Sequence, residues 1–247
     1  MKKPLVFTLV LLPIAAIAAY FVVLYQLDLY DPAEVEIILA QLGSMKIVIW
    51  VSVLQATVYV AICSFVGYIL SDKIGLMKPI RFEKTAIFRT LLLSLVFGIV
   101  FSLDYWTFGA WIPGVRESTV AGITGYGWVA SVLYGGIIEE VMLRLFMMSL
   151  VTWLIWKIFY RQSDHAPIVA VIAANVISAL LFASGHLPVT ITIFGELSPI
   201  ILLRCFLLNG GFGLLFGWLY RRNGIQYAMM SHALLHIFSK TIWLIFI

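Results

Sequence analysis

Glu139 and Glu140 stand side by side, with Arg144 four residues on, inside a long apolar run that begins near Trp128. An ionisable side chain at membrane depth costs about 2.5–3.5 kcal/mol on insertion scales, so three of them clustered in such a run mark a functional site. Glu140 and Arg144 are spaced as an acid-first pair along one helix face. That pairing neutralises one carboxylate and leaves Glu139 without a cation on its own helix. A carboxylate in that position, beside a histidine, is equipped to take a proton from water. The competing reading of the same three residues is an ion-pair network that only fixes helix register.

Three of the four histidines, His186, His232 and His236, lie in or at the ends of apolar stretches, where an unpaired polar group is costly. The fourth, His165, lies in a polar turn beside Asp164 and receives no role. The stretches that hold the glutamates and His186 are joined by a turn centred near Gln162-Ser163. Equal numbers of residues separate that centre from Glu139 and from His186. In an antiparallel helical hairpin, rising about 1.5 Å per residue, equal counts mean equal depth. Glu139 and His186 are therefore predicted to face each other near one end of the bundle. His232 and His236, four apart, share one face of the last helix, where they can donate hydrogen bonds to a developing oxyanion or bind a metal. The plain structural alternatives are an interfacial histidine at a helix end for His186 and interhelical packing bonds for the other two. Arg204 is read as a snorkelling side chain or the partner of a carboxylate.

These side chains need a scaffold that holds them at membrane depth. Of 247 residues, 63% are hydrophobic and 11% charged, with a mean hydropathy of +1.06. A soluble domain carries about 25% charged residues, so the composition excludes a soluble enzyme. The expected fold class is all-α, a polytopic membrane bundle of seven or eight transmembrane helices. Apolar stretches of spanning length fall near 5–27, 46–70, 86–103, 121–159, 166–185, 198–219 and 225–247. The fourth is too long for one straight crossing. It is either a tilted helix or a short entry helix broken at Gly135-Gly136 and resumed from Ile137. Asn209, Gly210, Gly211, Gly213 and Gly217 give the sixth stretch a small-residue face for close packing. The aromatic Tyr105–Pro113 stretch reads as an interfacial loop. Ala16-Ile17-Ala18 resembles a signal-peptidase site, but the apolar run continues to Leu24, and an uncleaved first helix is expected. Cys63 and Cys205 lie inside apolar stretches, which argues against a disulfide framework.

The net charge of +4 follows membrane topology and does not point to nucleic acid. With the fourth stretch as one crossing, one side collects Lys2, Lys3, Lys73, Lys78, Arg81, Lys84, Arg89, Lys157, Arg161, Arg221 and Arg222. The other holds Lys46, Arg116 and Lys240 against Asp28, Asp31, Glu34, Glu36, Asp104, Glu117 and Glu196. The positive-inside rule puts the basic side and the N-terminus in the cytoplasm. A split fourth stretch would reverse everything after it. Residues 1–120 are read as an N-terminal unit of three helices with an interfacial loop, and 121–247 as the catalytic helical core.

Three short motifs carry a family resemblance. Glu139-Glu140-x-x-x-Arg144, Phe182-Ala183-Ser184-Gly185-His186 and His232 in the last helix resemble, in order and spacing, the motifs of the CAAX protease and bacteriocin-processing family of intramembrane endopeptidases. The likeness covers roughly residues 121–240. It implies an all-helical, glutamate-type protease in which Glu139 and His186 activate water. His232 and His236 would stabilise the oxyanion, while Glu140 and Arg144 hold the site together. It implies no cofactor, a bilayer setting, expected to be the cytoplasmic membrane of a bacterium, and a membrane-associated protein or peptide substrate. The family's third motif often ends in asparagine where this chain has His236. The resulting His-x-x-x-His strengthens a zinc alternative with His186, His232, His236 and Glu139 as ligands. The helix lacks the glutamate that follows the first histidine in zinc proteases, and the metal-free route is favoured. Counted from the Arg221-Arg222 turn, His232 lies only about 15 Å along its helix, about half the depth of Glu139 and His186 from theirs. Which of His232 and His236 meets the reaction is left to the fold. A non-catalytic immunity or scaffold protein and a proton-coupled transporter are the readings from other classes.

Overall fold

The computed structural model describes residues 2–30 and 32–247, and the side chains of Glu34 and Leu42 are not among those described. Of the acidic residues placed by topology above, Asp31 and the side chain of Glu34 thus lie outside the described residues. Within them the chain is all-helical, and seven helices are long and apolar enough to cross a membrane. They run Lys2–Leu27, Met45–Lys73, Lys84–Ala110, Gly125–Phe159, Ile168–Phe194, Pro199–Asn223 and Ile225–Phe246. Backbone polar groups in lipid must be satisfied within the segment, which is why apolar runs of this length become helices.

The fourth span is the axis of the bundle. Its Ile138, Val141 and Leu145 are fully buried, packed among Ala15 and Ala18 of the first span, Val60 of the second, Tyr220 of the sixth and Ala228 of the seventh. Outer faces such as Trp50, Leu54 and Leu203 stay exposed, as surfaces that meet lipid must. The chain does not break at Gly135-Gly136. It runs on as one 35-residue helix whose turns widen to π-type over Ser131–Glu139 and Val141–Met148. The two glycines serve close approach: a Cβ on Gly136 would lie 2.6 Å from the Ala233 Cβ of the seventh span. On the second span, a Cβ on Gly67 would lie 2.9 Å from the Leu145 carbonyl oxygen. Gly136→Ala is expected to overpack this joint by about 1–3 kcal/mol, read as a lower unfolding temperature in detergent. Gly185→Ala, where nothing lies within 4 Å of the added carbon, is the neutral control.

Three further departures concern helix ends. The fifth span continues past the expected end near Gly185: Ile168–Gly185 gives way at His186 to a second helix, Leu187–Phe194, started by Pro188. A helix over Pro32–Leu42 precedes the second span, where no element was expected. The Tyr105–Pro113 stretch forms tight turns at Leu103–Tyr105 and Phe108–Ala110, followed by a helix over Val115–Ala121.

Each end of the bundle is tied by its own set of polar contacts. At one end the Lys78 ammonium bonds the Arg222 carbonyl, Gln226 donates to the Arg81 carbonyl at 3.2 Å, and the Ser71 and Tyr220 hydroxyls meet at 2.6 Å. At the other, Trp243 Nε1 donates to the Ser102 carbonyl at 2.9 Å, and the Lys240 ammonium bonds the Gly122 carbonyl. Cys63 and Cys205 are both free thiols.

Candidate active site

The wide turns of the fourth span bring its two glutamates into different surroundings. Glu140 is fully buried. Its Oε2 lies 3.4 Å from Arg144 Nε, the expected pairing along the helix, and its Oε1 accepts from His232 Nδ1 at 2.9 Å. Spacing did not anticipate this second partner. His232 faces Glu140, because the widened turns carry the glutamate round to the seventh span, and its Nδ1 is thereby committed. Arg144, itself buried, donates Nη2 to the Gly213 carbonyl at 3.1 Å. Its guanidinium lies 4.7 Å from the Phe182 ring centre and 5.7 Å from that of Phe216, which supplies cation–π attraction where water is excluded. Phe216 also stacks on His232, with centroids 4.3 Å apart. The small-residue face of the sixth span serves this arrangement: a Cβ on Gly213 would lie 3.1 Å from Arg144 Nη2.

Glu139, by contrast, is half-buried and lines two neighbouring cavities of about 330 and 360 Å³. His186 lines both with it, as do Gln26, Tyr134 and Phe182. Glu139 and His186, at equal depth by the hairpin count, thus line the same two cavities. His186 sits at the joint between the two helices of the fifth span. Its Nδ1 lies 2.9 Å from the Phe182 carbonyl, which fixes the ring, and the Phe182 ring meets it edge-on at 4.8 Å.

His232 and His236 line the cavity of about 330 Å³ together, with ring centres 5.0 Å apart. A Cβ on Gly135 would lie 3.0 Å from His236 Nε2 and 3.7 Å from His232 Nε2, so both imidazole tips converge on the bare face of this glycine. Despite the depth difference counted from the turns, both histidines line the same cavity as Glu139. Among the described residues, no three His, Cys, Asp or Glu side chains converge into a group able to hold a metal. His232 Nδ1 is taken by Glu140, which leaves its Nε2 as the ring atom that faces the cavity.

Two cavity residues were not singled out as site residues by the sequence. Asp104, almost fully buried, takes a two-point contact from Arg204, with Nε to Oδ1 at 2.9 Å and Nη2 to Oδ2 at 2.5 Å. Arg204 is therefore the partner of a carboxylate, one of its two expected roles. Lys240, counted by sequence as a loop charge, is buried at the cavity's far end. One signal was available: Lys240 continues the stripe of His232 and His236 at four-residue intervals. His165 is exposed in the turn between the fourth and fifth spans and lines neither cavity.

No curated protein and no solved structure matches the chain. The family profile described as "Type II CAAX prenyl endopeptidase Rce1-like" matches residues 122–238. That stretch begins just before the fourth span and ends two residues beyond His236, and so contains the glutamate pair, Arg144 and the three cavity histidines. Over residues 122–238, a little under half of its length, this multi-pass membrane protein is similar to the type II CAAX prenyl endopeptidases.

Proposed function

We propose that the chain is an intramembrane, glutamate-type endopeptidase that hydrolyses a peptide bond of a membrane-associated protein or peptide. The observation that carries this reading is the shared placement of Glu139 and His186 on the wall between two cavities, with His232 and His236 close by. A peptide lying across that wall would bring its carbonyl to the glutamate. The Glu139 carboxylate takes a proton from water, and the oxygen attacks the carbonyl carbon. His186 holds the water beside it. The charge that develops on the carbonyl oxygen is met by the tips of His236 and His232, where pre-set donors do most for the rate. As the C–N bond breaks, Glu139 returns its proton to the leaving amine. Glu140 and Arg144 hold His232 and the helix in place without touching the substrate, and the Phe182 and Phe216 rings pack on that cluster from the cavity wall. No cofactor takes part, and activity is expected to survive a strong chelator in metal-free protein.

In this reading residues 121–247 form the catalytic core, and residues 1–120 complete the cavity walls through Gln26 and Asp104. The test compares membrane proteomes of cells carrying wild type and His186→Ala. An uncut precursor should accumulate in the variant, which should still be expressed and inserted normally. Identical membrane proteomes would end the proposal.

A further inference from the structure

The two cavities have a side. Their walls reach from Glu139 toward one end of the bundle, through Gln26 at the close of the first span, Ser118 in the loop before the fourth, and Phe194 at the close of the fifth. Arg204 near the start of the sixth span and Trp243 near the close of the seventh belong to the same end. This is the end tied by the Trp243–Ser102 and Lys240–Gly122 contacts. None of the eleven basic residues collected on the other side in the topology above lines either cavity. Those residues cluster at the end tied by Lys78–Arg222 and Ser71–Tyr220.

The fourth span decides what this means. Because it is one continuous helix, the seven spans alternate without a break. Lys2 and Lys3, the loops around Lys78 and Arg161, and the Arg221-Arg222 turn then share one side of the bilayer. Lysine and arginine bias within short loops sets orientation, and loops this basic stay in the cytoplasm. We infer that the cavity holding Glu139 and His186 opens away from the cytoplasm, and that its substrate is the extracytoplasmic segment of an exported or membrane-anchored polypeptide. A chain segment on the cytoplasmic face would have to pass the basic end of the bundle, tied by the Lys78–Arg222 and Ser71–Tyr220 contacts, to reach Glu139. The substrate half of this inference rests on the endopeptidase reading. The sidedness stands without it.

The test labels the full-length protein in protoplasts with a membrane-impermeant maleimide. Single reporters are Arg161→Cys in the basic loop, Glu196→Cys in the loop between the fifth and sixth spans, and Ser118→Cys on the cavity wall. Wild type, whose two thiols lie in the membrane, is the blank. Glu196→Cys and Ser118→Cys should label in intact protoplasts, and Arg161→Cys only after permeabilisation. Labelling of Arg161→Cys in intact protoplasts, or of Ser118→Cys only after permeabilisation, would overturn the sidedness. The cleavage sites of precursors that accumulate in the His186→Ala cells should all fall in extracytoplasmic segments. Sites in cytoplasmic segments would overturn the substrate half. Absence of any precursor would count against the endopeptidase reading and leave the labelling result intact.

Discussion

Glu139→Gln is expected to lower the rate of substrate processing by about 10²–10⁴-fold, the usual contribution of a positioned general base. Glutamine keeps the length and shape of the side chain and removes only its ability to accept a proton. Glu139 is half-buried on the cavity wall, and the charged contacts that stabilise the fold converge on Glu140. Membrane insertion and unfolding temperature should therefore stay at wild-type values. The neighbouring substitution gives the internal contrast. Glu140→Gln should damage both stability and rate, because it disturbs the partner of Arg144 and His232. Single-turnover rates on a precursor found in the proteome comparison, set beside thermal unfolding of the same preparations, separate the two roles. A Glu139→Gln protein that processes its substrate at the wild-type rate would remove Glu139 from the chemistry and with it the proposed mechanism.

That the two glutamates part company was legible in the sequence; how they do so was only half legible. The four-residue step from Glu140 to Arg144 exposed one ion pair, and the count across the Gln162-Ser163 turn put His186 at the depth of Glu139, where both line the same cavities. Both are local or hairpin relations, governed by helix rise and little else. The contact from His232 to Glu140 joins residues far apart in the chain, on helices not linked by one turn. It also depends on the widened turns of the fourth span, which rotate side chains away from the ordinary helical spacing. No residue type announces such turns. Gly135-Gly136 was the nearest signal, and it pointed two ways. Glycines loosen a helix, but in a membrane they also let helices touch. The structure takes the second use, with Ala233 against Gly136 and the two imidazoles against Gly135. Asp104 was hidden for a similar reason: its partner Arg204 is a hundred residues away, and an acid after an apolar run looks like a loop charge.

The second large effect belongs to Arg144. Its guanidinium is 1% exposed and lies between two phenylalanine rings, with Glu140 and the Gly213 carbonyl as its polar contacts. Removing one member of a buried ion pair strands the other, at a cost of about 3–5 kcal/mol. In Arg144→Ala the stranded group is Glu140, left with His232 as its one remaining partner in a site walled by Phe182 and Phe216. The expected result is a fall in unfolding temperature on the order of 10 °C for a chain of this size, measured in detergent. The double variant Arg144→Met, Glu140→Gln should recover much of that loss, since neither charge remains to be buried and methionine fills the space between the rings. It should not recover processing, because His232 then faces a neutral amide in place of a carboxylate and loses the contact that orients its ring. Recovery of stability without recovery of rate would show that the buried charges are kept for the site and not for the fold. If Arg144→Ala unfolds at the wild-type temperature, the Glu140 carboxylate is not held by this pair, and the role of Arg144 as the anchor of the site falls.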